Sequence, residues 1–219
     1  FTAAQKYHTK KLIFFGSSCM YPRDTKQPMK EDQLLSGKLE PTSQAYAISK
    51  YAGLQMCKSI NMQNKSVVFI PVIPNSVYGI NDNFDLNNAH VLSSLISRFH
   101  HAKEKNLNSL ELWGSGKPKR EFIYVDDLVQ ACLLILNAPL LNDQLPINIG
   151  VGEDISIELL AEKISRIIGY SGQIEWNKAR PDGAPRKLLD SSRIESMDWK
   201  PSVSLDKGIE HVYQWYLDK

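Results

Sequence analysis

The sequence predicts an α/β fold around a parallel sheet, and three observations carry that prediction. Short apolar runs that fit buried strands alternate along the chain with longer segments of helical period. The run Lys11-Leu-Ile-Phe-Phe15 ends at Gly16, which lets the chain turn at a strand's C-terminal end, where open α/β sheets place their ligands. The helix expected from Gln44 carries Tyr46 and Lys50 four residues apart, hence on one face and within reach of each other.

The composition is consistent with this class. A length of 219 residues fits one ordinary domain, or one with a small second lobe. Hydrophobic residues at 42% suffice for a packed core. A net charge of +2 gives no general attraction to nucleic acid or an anionic membrane. Cys19, Cys57 and Cys132 stand in no metal-like spacing and suggest free thiols in a reducing compartment. No apolar run approaches the roughly 20 residues a membrane span needs, and no secretory signal opens the sequence. The expectation is a cytoplasmic protein with no nucleic-acid and no membrane partner.

Taken in order, residues 1–10 are mostly polar and read as the tail of a helix. Residues 11–15 read as a buried strand. A helix spans about 44–62, with Ala47, Tyr51, Leu54 and Cys57 on its buried face. The next buried strand is 66–70, and Pro71 and Pro74 after it are expected to end regular pairing. Residues 81–88 are a polar loop. A helix over 89–105 carries Val91, Leu92, Leu95, Ile96 and Phe99 as an apolar stripe, with His90 in its first turn. Strands follow at 110–113 and 121–125, and Asp126-Asp127 reads as the cap of a helix through Leu136. A strand at 146–149, a helix over 156–168 ended by Gly169, a strand at 173–176 and a closing helix from Ser204 complete the alternation.

The chemistry begins with the Tyr–Lys spacing. A free phenol has a pKa of about 10, too high for ready proton exchange at neutral pH; a fixed ammonium nearby lowers it. A serine at the end of the adjacent strand, Ser17, would share a substrate oxygen with the Tyr46 phenol. An isolated Tyr-x-x-x-Lys on a helix is most often a surface pair; the strand-Gly-Ser-Ser upstream points to function.

At these residues the chain resembles the short-chain dehydrogenase/reductase superfamily, in its extended, nucleotide-sugar-modifying branch. Gly16-Ser-Ser-Cys-Met-Tyr-Pro22, Leu39-Glu-Pro-Thr42, Tyr46-Ala-Ile-Ser-Lys50, Asn81-Asp-Asn-Phe84, Trp113-Gly-Ser-Gly116, Arg120-Glu-Phe122, Val125-Asp-Asp127, Pro181-Asp-Gly183 and Pro185-Arg-Lys-Leu-Leu-Asp190 are similar to motifs of the GDP-L-fucose synthase family. Those enzymes epimerise C3 and C5 of a GDP-4-keto-6-deoxy sugar and then reduce C4.

The resemblance implies a Rossmann-like parallel sheet over residues 1–150, with interleaved substrate segments, and a smaller C-terminal α/β substrate lobe over 151–219. It implies NADP(H) against Phe15, Gly16, Ser17, Ser18, Tyr46, Lys50, Pro74, Asn75, Ser76, Val77 and His90. It implies a catalytic set of Ser17, Tyr46 and Lys50 for reduction, with Cys19 as base and His90 as acid for epimerisation. Cys19 and Ser17 would point to one side if the segment is extended, and a thiol with a pKa of about 8.5 lies within reach of activation. Taken alone, Cys19 reads first as a small buried residue and His90 as a surface or helix-capping histidine. Arg98, Trp113, Arg120, Asp182 and Lys187 are implied contacts of the GDP-sugar substrate; without the resemblance Arg98 and Lys187 are surface charges and Trp113 could be core. A homodimer is also implied. A glycine-rich phosphate loop and about three βα units are expected upstream of Phe1, so that the 219-residue chain by itself would be inactive. The residues leave open a heptose in place of the hexose, a non-catalytic nucleotide-sugar-binding fragment, and a Cys19/His90 hydrolase.

Overall fold

The computed structural model describes residues 1–63, 68–86, 88–139 and 145–219. In chain order the helices and strands are α1 (Thr2–Lys6), β1 (Lys11–Phe15), α2 (Gln44–Gln63), β2 (Val68–Pro74), β3 (Ser76–Tyr78), α3 (Val91–Glu104), β4 (Ser109–Trp113), β5 (Lys119–Arg120), β6 (Phe122–Tyr124), α4 (Val125–Asn137), β7 (Ile147–Ile149), β8 (Ile155–Ser156), α5 (Ile157–Ile168), β9 (Gln173–Asn177), β10 (Arg186–Lys187), α6 (Ser192–Glu195) and α7 (Leu205–Leu217). Among the described residues no helix is long and apolar enough to cross a membrane.

The α/β class with a parallel sheet is borne out. Strands β1, β2 and β7 pair in that order, all parallel, with Phe15 opposite Val72 and Val72 opposite Ile147. Beyond Asn75 the same strand path continues as β3 and pairs in parallel with β6. Residues 109–120 share sheets with the later chain: β4 pairs with β9, and β5 lies between β10 and β8.

Two expectations about strands are corrected. β1 is not buried; it is half-buried, with Phe15 43% exposed. Only β2 pairs with it among the described residues. Leu12 and Phe14 lean into a cluster of Ala4, Cys57 and Phe69, whereas Phe15 faces the cavity described below. Nor do Pro71 and Pro74 end pairing, since both lie inside β2. The amide donors of Val68 and the carbonyl of Val72 serve the β1 side. Phe69 turns the other way, where the Asn61 side chain bonds both its N–H and its C=O. By that alternation the missing donor of Pro71 faces a level that β7 has not yet reached, and that of Pro74 lies past the end of β1. The expected strand at 66–70 starts at Val68; Ser66 and Val67 lie outside the described residues, as does Asn87 of the expected loop at 81–88.

The helices largely follow their periodicity. α2 buries Ala47, Gly53, Leu54 and Cys57, with Tyr51 partly buried against Met20 and Ile73. At Gly53 a side-chain carbon would fall 2.7 to 2.9 Å from ring carbons of Phe14, so only glycine lets the helix lie this close to β1. α3, α5 and α7 pack Leu92, Ile96, Phe99, Ile164, Ile209 and Val212 into the largest core. Each such side chain is stabilised by burial by about 1.5–3 kcal/mol. Ser156 and Ser204 cap α5 and α7 by accepting from Leu159 N and Lys207 N, and Gly169 closes α5 in the left-handed region at φ 76°.

The expected cap Asp126-Asp127 is a further correction. α4 starts at Val125, so both aspartates lie in its first turn. The buried Asp127 carboxylate accepts instead from Ser202 N (2.9 Å), Ser202 Oγ (2.7 Å) and Val203 N (3.0 Å), tying the lead-in to α7 onto α4.

Candidate active site

At the C-terminal end of β1 and β2 lies a cavity of about 800 Å³. Its wall includes Phe15, Gly16, Ser17, Ser18, Cys19, Tyr46, Lys50, Pro74, Asn75, Ser76, Val77, His90, Arg120 and Lys187. The structure thus gathers every sequence-predicted residue of the Tyr–Lys, Cys–His and Phe15-to-Val77 groups, with two of the five expected substrate contacts.

Tyr46 and Lys50 sit in the first turns of α2. Tyr46 is 50% exposed and lines the cavity. Lys50 Nζ donates to the Phe15 carbonyl at 3.0 Å and lies 5.7 Å from the Tyr46 ring centroid and equally far from that of Phe14. The strand end therefore anchors the ammonium, and the ammonium stands beside the phenol.

Cys19 follows Ser17 through a turn that sequence spacing misjudged. Residues Ser18–Met20 form a 3₁₀ helix rather than an extended segment. Ser17, its N-cap, accepts from Cys19 N at 3.2 Å, so the two side chains share a wall because of a cap rather than a pleat. Lys187 Nζ stands 3.3 Å from Cys19 Sγ. Burial pushes the thiol pKa up, but the Lys187 charge and hydrogen bonds from Ser17, Lys187 and Ser43 outweigh it, and the pKa lies below the ordinary 9.0. Ser43 Oγ is buried with no partner of regular hydrogen-bond geometry; beside the thiol, a rotating hydroxyl can donate to the sulfur.

His90 was expected in the first turn of its helix. It is the N-cap residue of α3, with extended backbone (φ −65°, ψ 159°), no capping side-chain bond and an exposed ring on the cavity wall. The helix starts one residue later because the His90 carbonyl already accepts the Ser94 N–H at 2.8 Å.

The remaining expected contacts form a second group outside that wall. Two guanidinium groups stand against the Trp113 ring, which is 56% exposed: Arg98 at 5.4 Å and Arg180 at 4.7 Å from its centroid. Arg98 also donates to Leu86 O and Ser94 Oγ. Asp182 accepts from Ser115 N (2.6 Å) and Ser115 Oγ (2.7 Å), which hold its pKa below the ordinary carboxylate range. Arg120 connects the groups: it lines the cavity, and a side-chain carbon on Gly183 would meet its Nη2 at 3.7 Å. Burial draws the Arg120 pKa down against the opposing pull of Cys19, Glu40 and Asp182.

Sequence reasoning missed Ser43, Arg180 and Glu121. The fully buried Glu121 carboxylate accepts from Asn75 Nδ2 (2.6 Å), Val151 N (2.6 Å), Gly152 N (2.8 Å) and Leu189 N (3.0 Å). Burial raises its pKa despite these bonds. A lone carboxylate opening the apolar run Phe122-Ile-Tyr-Val125 was the signal available for it. The bond from Asn75 also fixes that amide: its nitrogen is spent on Glu121 and on Lys187 O, leaving Oδ1 buried without a partner. An orphaned acceptor beside the apolar Phe15, Pro74, Val77 and Phe122 fits a flat ring bearing a carboxamide, as the nicotinamide half of a dinucleotide does.

Known proteins resemble this chain along nearly its whole length. The NAD dependent epimerase/dehydratase family matches residues 1–150. GDP-L-fucose synthase 1 of Arabidopsis thaliana is 43% identical over 215 residues, covering 98% of this chain and 66% of that protein. The GDP-L-fucose synthase of Escherichia coli strain K12 is 41% identical over 226 residues, covering 99% and 69%. Among solved structures, a GDP-D-glycero-L-gluco-heptose synthase from Campylobacter jejuni, determined in the presence of NADPH, superposes with a TM-score of 0.87 at 33% identity, over 100% of this chain and 72% of that one. The chain spans 63% to 69% of the length of these two synthases and two further curated relatives. With a family match over residues 1–150 and these identities across nearly all of its length, the chain belongs to the NAD dependent epimerase/dehydratase family.

Proposed function

We propose that the protein converts a GDP-4-keto-6-deoxy sugar by epimerisation at C3 and C5 followed by reduction at C4, with NADPH as the reductant. The observation that carries this proposal is the gathering of Cys19, His90, Ser17, Tyr46 and Lys50 around one cavity. Two synthases of GDP-L-fucose at 43% and 41% identity support the same reading.

In the first step Cys19, as thiolate, takes the proton from C3 or C5. The C–H bond breaks, an S–H bond forms, and the electron pair passes to the C4 oxygen as an enolate. His90 returns a proton to the opposite ring face, which inverts the centre. In the second step Tyr46 donates its proton to the C4 oxygen, with Ser17 sharing that oxygen and Lys50 holding the phenol's environment positive. Phe15 to Ser18 and Pro74 to Val77 would hold NADPH, which supplies hydride when bound. Arg120 would face the diphosphate; Arg98, Trp113, Arg180 and Asp182 would form the outer contact for the nucleotide. Residues 1–150 would then be the cofactor part, with interleaved substrate segments, and 151–219 the substrate lobe.

Free Cys19, Cys57 and Cys132 support a cytoplasmic setting. Exposed Ile48 and Met56 on α2 are apolar surface that a homodimer would cover; light scattering would report the mass. The likeness to the Campylobacter jejuni heptose synthase favours a GDP-heptose as the second substrate reading. The test is direct: incubation with GDP-4-keto-6-deoxymannose and NADPH, followed by NMR of the sugar. Stoichiometric NADPH oxidation with a 3,5-inverted, C4-reduced product supports the proposal. Turnover with the heptose alone selects the second reading, and NADPH binding without turnover of either sugar overturns both.

A further inference from the structure

We infer that Lys187 and Ser43 are positioning residues for Cys19: they hold its sulfur as a thiolate, so that the Lys187 ammonium serves the thiol rather than a phosphate of the ligand. This deepens the proposed function and rests on Cys19 being its base.

The geometry that supports it is built from distant parts of the chain. Lys187 Nζ lies 3.3 Å from Cys19 Sγ across 168 residues of sequence. The backbone around Lys187 is fixed on several sides. β10 pairs with β5, placing Lys187 opposite Arg120. Lys187 O accepts from Asn75 Nδ2 at 3.1 Å. Leu188 N donates to Gln27 Oε1 and Leu188 O accepts from Met29 N, both at 2.8 Å. Leu189 N donates to the buried Glu121 carboxylate at 3.0 Å. These bonds fix the backbone from which the ammonium reaches the sulfur.

Ser17 Oγ spends a lone pair on Cys19 N, which leaves its hydrogen free for the sulfur. Ser43 Oγ, buried and without a regular partner, lines the same cavity as the thiol and offers a third donor there. The other charged groups nearby do not cancel this field. Arg120 is a second cation on the wall, Glu40 is paired with Arg23 at 2.6 Å, and Asp182 is bonded by Ser115. His90 lines the same cavity from the α3 end. Cation and donors favour the anion of a partly buried thiol over its neutral form.

The test is the pH profile of iodoacetamide alkylation, followed on the Cys19 peptide by mass spectrometry so that Cys57 and Cys132 do not contribute. The wild-type profile should have its midpoint below the ordinary thiol value of 9.0. Lys187→Met should move it up by about one pH unit, slowing alkylation at pH 6.5 about tenfold. Lys187→Arg should retain most of the shift, and Ser43→Ala should move the midpoint by a few tenths, about 2-fold in rate. A Lys187→Met profile that overlays the wild type overturns the inference. So does an unshifted profile together with lost GDP binding, which would assign Lys187 to the diphosphate. Because alkylation needs no sugar, a shifted Lys187→Met profile in a protein that exchanges no sugar proton leaves the cradle standing and removes the epimerase reading alone.

Discussion

The two walls of the cavity are built in different ways. On one, Tyr46 and Lys50 come from a single helix, four residues apart, and the phenol is half open to solvent. On the other, the Cys19 thiol sits in a turn capped by Ser17 and meets a lysine 168 residues later, with Ser43 from a third segment beside it. The difference follows from the chemistry each wall is assigned. A phenol that donates to a carbonyl oxygen needs one cation and free access. A thiol that removes a carbon-bound proton must be ionised while partly buried, and only several donors converging from distant segments offset the cost of desolvating that charge.

The largest effect that would break the comparison is on reduction. Tyr46→Phe should lower NADPH oxidation by about 10²-fold or more, measured at 340 nm, with the fold unchanged because the ring faces solvent. Near-normal turnover in that variant would end the assignment of the local wall. Second, Glu121→Ala removes the acceptor of four donors behind the distant wall. It should destabilise the protein by roughly 3 kcal/mol or more in urea unfolding, and an exposed-site loss below about 0.5 kcal/mol would show that the carboxylate does not organise that wall. Third, Lys50→Met should slow reduction about tenfold while leaving stability nearly intact; an equal fall in exchange at C3 and C5 would show that the walls are not separable.

The smallest effect is a pH slope. The Cys19 thiol ionises below its ordinary 9.0 in the folded state, so between the two values the unfolded state binds more protons. Stability from this group is therefore complete above the unfolded value and is lost as pH falls through the folded one. Urea midpoints of wild type and Cys19→Ser should diverge as pH rises from neutral towards 9; convergence there would reverse the sign.

The same contrast explains what could be read in the sequence. Periodicity and caps placed α2, α3, α5 and α7 because those signals are local: Ser156 with Gly169, and Ser204 ahead of Leu205. The Tyr46/Lys50 pair was legible for the same reason. Two-residue strands β5, β8 and β10 have no local signature, since their partners lie tens of residues away. Pro71 and Pro74 misled because which side of a strand lacks a neighbour is a tertiary fact. Lys187 entered through the resemblance as a contact of the GDP-sugar, and nothing local in its loop shows the sulfur it meets. Asp127 likewise looked like a cap, and its partners Ser202 and Val203 are 75 and 76 residues on.

The separability of the two walls is tested most directly by solvent-deuterium exchange at C3 and C5 of the keto sugar, read by NMR in Cys19→Ser and Tyr46→Phe side by side. The account predicts no exchange in Cys19→Ser, and exchange at near wild-type rate in Tyr46→Phe although that variant no longer oxidises NADPH. Normal exchange in Cys19→Ser, or its loss in Tyr46→Phe, would contradict it.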